Sequence, residues 1–341
     1  MIGIAVAIPS ASILYWKSFK IMLHIFSGQN KQLIKKGSLL DLPLQSELTW
    51  IDAVSPGEDE RAAILDQFGV ELELAEDDAD IEASARIFLD KQDYLNIRAD
   101  FLVEISGRIT TEPVRFVIGE NFLFSIHEQD LPIIRLMRMR SKADRRAWTN
   151  PLQIVTELFA LDVEQSADVL EEVYQNLKVI NERVLSEKKG SDEEAEEYIQ
   201  LIAREEDING TVRRNLMDTR LVLSYFSREQ TLGKDLLSQV KIIQRDIESL
   251  DGHTSFIFDK INFLMDAVMG FINIKQNKII KIFSVASVAM LPPTLIASVY
   301  GMNFEYMPEL TQKWGYPFSL GLMAVSVIIP FYFFKKKGWM K

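Results

Sequence analysis

The chain has 341 residues, 38 Lys and Arg against 49 Asp and Glu for a net charge of −11, nearly half hydrophobic residues and no Cys. That length exceeds one domain of roughly 100 to 200 residues, and the composition is that of a folded protein rather than a disordered, collagenous or fully polytopic one. Zero cysteines removes disulfide frameworks, thiolate zinc sites and cysteine nucleophiles, and the acidic balance disfavours a nucleic-acid partner, whose phosphates need a concentrated basic surface.

Residues 1–21 hold an apolar stretch without a basic leading region or a small-residue cleavage site, so they do not read as a signal peptide. They are expected to be a disordered N-terminal extension or a misassigned start, with Met1 or Met22 as the initiator; a third membrane segment is the alternative. From Met22 to about Ile126, β-rich runs separated by turn residues predict strands at Leu23–Phe26, Thr49–Asp52, Arg86–Leu89, Tyr94–Ala99, Val114–Ile118 and Phe122–Ser125. Ser55-Pro56-Gly57-Glu58 supplies a cap, a proline and an early acid ahead of a helix through AAILDQF. A mixed sheet with flanking helices follows, an α+β unit over residues 22–150. Helical periodicity then runs over Pro151–Lys188 and Asp192–Arg228 around Lys189-Gly190-Ser191, a hairpin within residues 151–233. A third helical pattern starts near Lys234 and has nothing strong enough to stop it before Tyr300.

The charge is divided unevenly. From Lys275 onward there are eight Lys, no Arg and only Glu305 and Glu309, a balance of +6, which leaves 30 basic and 47 acidic side chains before it. Within this basic tail, Ile282–Val299 and Tyr316–Phe334 carry no charge, and each is long enough as a helix to cross a hydrocarbon core of about 30 Å. The third helix thus divides into a stalk (234–281) and a first transmembrane helix (282–300). An external loop (301–315), a second transmembrane helix (316–334) and a basic tail (335–341) complete the chain. Lys275, Lys278 and Lys281 precede the first span and Lys335, Lys336 and Lys337 follow the second, so the positive-inside rule places both termini in the cytoplasm.

No glycine-rich phosphate loop, GxSxG or HExxH occurs, and His24, His127 and His253 are isolated and read as structural or surface residues, so no enzyme is indicated. The informative pattern is a stripe on the long helix. Asp259, Asp266 and Asn277 are spaced by seven and eleven residues, which at about 100° per residue puts them within about 20° of one line. The line continues through Ser284, Leu291 and Ser298, with Ile280, Ser287 and Thr294 beside it. One face therefore passes from carboxylate to amide to hydroxyl, interrupted by Ile280 and Leu291. Polar residues on a spanning helix face protein or water, so the stripe either bonds two helices together or lines water. Two spans cannot enclose a conduit, so a water-lining stripe requires a closed ring of several copies. Glu305 and Glu309 would then favour cations at the external mouth.

After the first span, Gly301-Met302-Asn303 continues into FEYMPEL, and this resembles the signature of the CorA magnesium transporters. The resemblance extends through NKIIKIFSVASVAMLPPTLIASVYGMNFEYMPEL, DIEASAR and NFLMDAVMGFIN, and covers nearly the whole chain from Met22. It implies a funnel-shaped homopentamer in the cell inner membrane, multi-pass, taking up Mg²⁺ with Co²⁺ and Ni²⁺ as further substrates, among membrane lipid. Mg²⁺ would be both substrate and regulatory ligand, with no cofactor besides. Gly301, Met302 and Asn303 would form the selectivity filter, Asn277 and Thr294 polar pore positions, and Ile280 and Leu291 constrictions. Asp266 matches an acidic position inside the stalk, and Asp246, Asp251 and Asp259 are candidates for regulatory metal binding between subunits. A zinc transporter of the same superfamily and a non-transporting membrane-anchored scaffold are the alternatives.

Overall fold

The computed structural model describes residues 22–29, 32–36, 48–72, 86–143, 150–186, 192–228, 233–303, 305 and 307–338. The expectation for residues 1–21 lies outside them. Contact density divides the chain into two compact units, one formed by residues 1–180 with 202–261 and the other by 181–201 with 262–341.

The first unit holds a seven-stranded sheet in the order β2-β1-β3-β7-β6-β5-β4. Its strands are β1 (Met22–Gln29), β2 (Gln32–Lys36), β3 (Thr49–Val54), β4 (Ile87–Leu89), β5 (Leu95–Ile105), β6 (Arg108–Ile118) and β7 (Phe122–His127). Only β3 and β7 pair in parallel, from Thr49↔Phe122 to Val54↔His127; the other pairs are antiparallel, which makes the sheet mixed. Strands β1, β3, β5, β6 and β7 are longer than the sequence pattern predicts, β5 and β6 by the most. β5 and β6 pair over their full length because Ser106 and Gly107, between Ile105 and Arg108, both adopt positive φ (53° and 76°), the backbone a tight two-residue hairpin needs.

Both faces of the sheet are covered. Helix α1 (Glu58–Phe68) buries Ile64 and Phe68 against Ile51, Ala53, Phe124 and Ile126. Its cap is not Ser55, as the sequence pattern predicts. Ser55 sits at φ 45°, Gly57 is the N-cap, and Glu60 Oε2 accepts the Gly57 N–H at 3.0 Å. The helix ends at Gly69, whose φ of 69° lets its N–H reach the Leu65 carbonyl. On the opposite face lie α2 (Pro132–Ala143) and α3 (Pro151–Ser186), where Phe159 stacks on Phe101 at 5.5 Å and meets Phe116 edge-on at 6.2 Å. Helix α4 (Asp192–Arg228) returns antiparallel to α3, with Val212, Leu216, Leu223 and Phe226 buried.

Helix α5 runs unbroken from Lys234 to Tyr300, 67 residues and about 100 Å at 1.5 Å per residue. A short 3₁₀ turn (Pro308–Thr311) precedes α6 (Gly315–Lys336). The portion of α5 that holds residues 282–299, and α6, are each long and apolar enough to cross a membrane.

Candidate functional site

Within the second unit, α5 uses one side for packing and leaves the other open. Val285 and Ala289 are buried, at 4% and 1% exposure, and Pro292, Pro293 and Ile296 are half-buried. On a helical projection this packed side lies about 150° from the stripe, at about 100° per residue. Asn277, Ile280, Ser284, Ser287, Leu291, Thr294 and Ser298 are all exposed in the single chain. The same packing leaves an apolar crevice of about 360 Å³ between Leu295, Ile296, Val299, Tyr300, Met307 and Leu322.

Pro292 and Pro293 carry no N–H, so the carbonyls of Val288 and Ala289 have no helical donor four residues on. At the next residue the Thr294 hydroxyl turns back to donate to the Met290 carbonyl at 2.8 Å. The helix finishes at Gly301, whose N–H still reaches the Ala297 carbonyl at 2.9 Å, followed by Met302 N–H to Val299 at 3.3 Å. A Cβ on Gly301 would stand 3.2 Å from the Ala297 carbonyl oxygen, closer than side chains ordinarily approach. Gly301 thus lets the chain leave the helix tightly. Met302, Asn303 and Glu305 follow, all exposed; nothing is described of the Glu309 side chain.

The four aspartates are not brought together. Asp259 and Asp266 are exposed on the line of Asn277, whereas Asp246 and Asp251 lie about 140° and 80° away from it, at about 100° per residue. Asp251 is 3.7 Å from the Arg213 guanidinium. Among the described residues no group of three His, Asp or Glu side chains is placed to hold a metal ion within one chain.

The sequence pattern gives no sign of a second polar constellation, buried between the sheet and α2. Asp52, Ser125 and His127 are fully buried. Ser125 Oγ donates to Asp52 Oδ1 at 2.7 Å, and His127 Nε2 meets the same oxygen at 2.8 Å. Arg138 of α2 donates to Asp52 Oδ2 at 2.7 Å and bridges to Asp130. Burial alone would raise the Asp52 carboxyl, but the hydrogen bond and charge of His127, with Arg138, hold it below the ordinary aspartate value. Burial alone would lower the imidazole of His127, and Asp52 raises it instead. The serine bonds the carboxylate rather than the imidazole, and none of the three reaches solvent, so this cluster pins α2 to the sheet. Of the isolated histidines, His127 is structural and His253 accepts or donates at the surface with the Tyr174 hydroxyl at 3.1 Å.

Residues 45–336 match the family described as "CorA-like Mg2+ transporter protein". The magnesium transport protein CorA of Pasteurella multocida is 40% identical over 94% of this chain and 100% of its own length. That of Escherichia coli K12 is 41% identical over the same shares. The complete structure of the CorA magnesium transporter from Methanocaldococcus jannaschii superposes with a TM-score of 0.75 at 20% identity, covering 94% of this chain and 99% of that one. With its mixed sheet, long helix and two C-terminal candidate spans, and with its motif directly after the first span, the chain belongs to the CorA family.

Proposed function

We propose that this chain transports Mg²⁺ across the cell inner membrane, through a conduit lined by the polar stripe of α5 from several copies. The observation that carries the proposal is the phase of that stripe. The face running from Asp259 through Asn277 to Ser298 is exposed, on the opposite side from the buried Val285 and Ala289, on a helix that ends in Gly301-Met302-Asn303. Relatives about 40% identical over nearly the whole chain are named magnesium transport proteins, which supports Mg²⁺ as the cargo. Five copies is the ring size the resemblance implies, and the body and both termini face the cytoplasm by the positive-inside rule.

In this reading Asn303 presents a ring of amide oxygens at the outer mouth. Mg²⁺ dehydrates reluctantly, so neutral oxygens hold it through its water shell and let it go again. Ile280 and Leu291 are the apolar constrictions, while Ser284, Ser287, Thr294 and Ser298 solvate the ion between them. Glu305 and Glu309 concentrate cations outside. Co²⁺ and Ni²⁺, similar in size and hydration, accompany Mg²⁺. Asp246, Asp251, Asp259 and Asp266 belong to the cytoplasmic region that senses Mg²⁺: the bound ion offsets repulsion between acidic subunits and favours the closed ring, provided it binds that state more tightly.

The test is Mg²⁺ influx into liposomes carrying the purified assembly, wild type against Asn303→Ala, over a range of internal Mg²⁺. Loss of flux in the variant, together with suppression of the wild type by internal Mg²⁺, is the expected result. A folded, assembled wild type that passes no Mg²⁺ would overturn the proposal.

A further inference from the structure

Strand β4 is three residues long and pairs only with Leu95–Ile97 of β5, so among the described residues the outer edge of β5 beyond that point has no strand beside it. Helix α3 closes this edge with side chains. Asp162 Oδ1 accepts the Leu102 N–H at 3.1 Å, and Gln165 Nε2 donates to the Leu102 carbonyl at 3.4 Å. The other carboxylate oxygen, Oδ2, accepts from Asn215 Nδ2 of α4 at 2.5 Å. One fully buried carboxyl group therefore joins strand, first helix and second helix.

This junction differs from the Asp52 cluster in a decisive way. No basic side chain pairs with Asp162 among the described residues. Of the charges around it, Asp100 on β5 is of like sign and acts on it directly. Arg86, at the head of β4, is engaged by Asp218 of α4 at 2.9 Å and by Asp100 at 3.8 Å. Arg98 on β5 lies over the Phe88 ring, Arg214 on α4 bonds Thr211, and on α3 itself Glu157 and Glu164 face Arg140. A metal ion is a poor counter-charge here, because N–H donors address both carboxylate oxygens where a cation would need oxygen ligands. A proton needs no such ligands. The seam holds further unpaired polar atoms: Asn215 Oδ1, Thr219 Oγ1 one turn from it, and Ser166 Oγ, one turn from Asp162, are buried without partners among the described residues.

We infer that Asp162 is a proton-binding latch, neutral when β5, α3 and α4 are held together and loosening that seam when it ionises. Burial, aided by Asp100, lifts the carboxyl from the ordinary 3.8 to about 7 against the two donated hydrogen bonds, which puts the change within the cytoplasmic range. The latch would therefore tighten on acidification, whichever ion the chain carries.

The sign of the linkage is fixed. The folded state holds a proton that the unfolded state has released, so the contribution of Asp162 is fully present below about 3.8 and is lost as pH rises to about 7. Over that window it raises the unfolding constant of the full-length protein about tenfold per pH unit relative to Asp162→Asn, and the difference levels off above about 7. Infrared spectra of the full-length protein in detergent give a direct readout. The carbonyl stretch of a protonated acid should be present at pH 6, titrate away near neutrality and be missing in Asp162→Asn. Asn215→Leu, which keeps the acid but removes a donor that favours its ionised form, should move the midpoint upward; this second variant serves if Asp162→Asn does not fold. An acid band absent at pH 6, a midpoint unmoved by Asn215→Leu, or a midpoint that follows Na⁺ or Mg²⁺ concentration would overturn the inference.

Discussion

At the scale of single residues, two buried aspartates meet the same desolvation cost in opposite ways. Asp52 is matched by His127 and Arg138 and stays ionised, whereas Asp162 is met only by neutral donors. Asp52→Asn leaves His127 buried without its counter-charge and Arg138 with Asp130 alone, and should cost about 3–5 kcal/mol by denaturant unfolding of the full chain. The pH dependence has two limbs. The lowered Asp52 value makes its contribution present above 3.8 and lost as pH falls through the folded value; the raised His127 value makes its contribution complete below 6.5 and lost as pH rises through the folded one. Melting curves from pH 3 to 9 should therefore lose the His127 part of the alkaline limb in His127→Gln and keep the acid limb, because Arg138 still holds Asp52. An unchanged alkaline limb would show that the imidazole is not charged in the folded state.

Among the elements, the long helices α3, α4 and α5 are legible because a 3.6-residue period repeated over ten or more turns leaves little competing interpretation. The shorter elements are harder. Gln32–Lys36 is lysine or glutamine at three of its five residues and offers no apolar alternation, so β2 is visible only once β1 lies beside it. Pro132–Ala143 hides a core helix under three arginines, one of them buried on Asp52. Strands β5 and β6 run on through Asp100, Glu104 and Thr110-Thr111, which interrupt the pattern but are tolerated toward the turn end of the hairpin. The stripe is legible because phase along one helix is a property of sequence alone. The Asp52 and Asp162 constellations are not, since their partners stand 53 to 86 positions away. Packing between elements is concentrated where Phe101, Phe116 and Phe159 meet, so Phe159→Ala should cost about 3–5 kcal/mol and separate α3 from the sheet. Denaturant unfolding followed by tryptophan fluorescence would measure it, and a loss below about 1 kcal/mol would mean the site collapses to fill the void.

For the whole molecule, what matters most is that α5 is continuous. Acidic positions and hydroxyl positions on it are tied together by nothing but the count of residues between them, and this limits which changes of length the chain can accept. One alanine inserted after Lys275 turns everything beyond it by about 100° relative to Asp259 and Asp266, taking Ser284 and Thr294 out of their line. Seven inserted residues return it to within about 20°, at the expense of about 10 Å of added length. Liposome flux should be abolished by the single insertion and recover in substantial part with the sevenfold one. Equal flux from both would show that the two halves of the stripe act independently. If they do not, gaps in this helix are permitted only in steps that preserve its phase, and a deletion as small as one residue is more damaging than the loss of two turns.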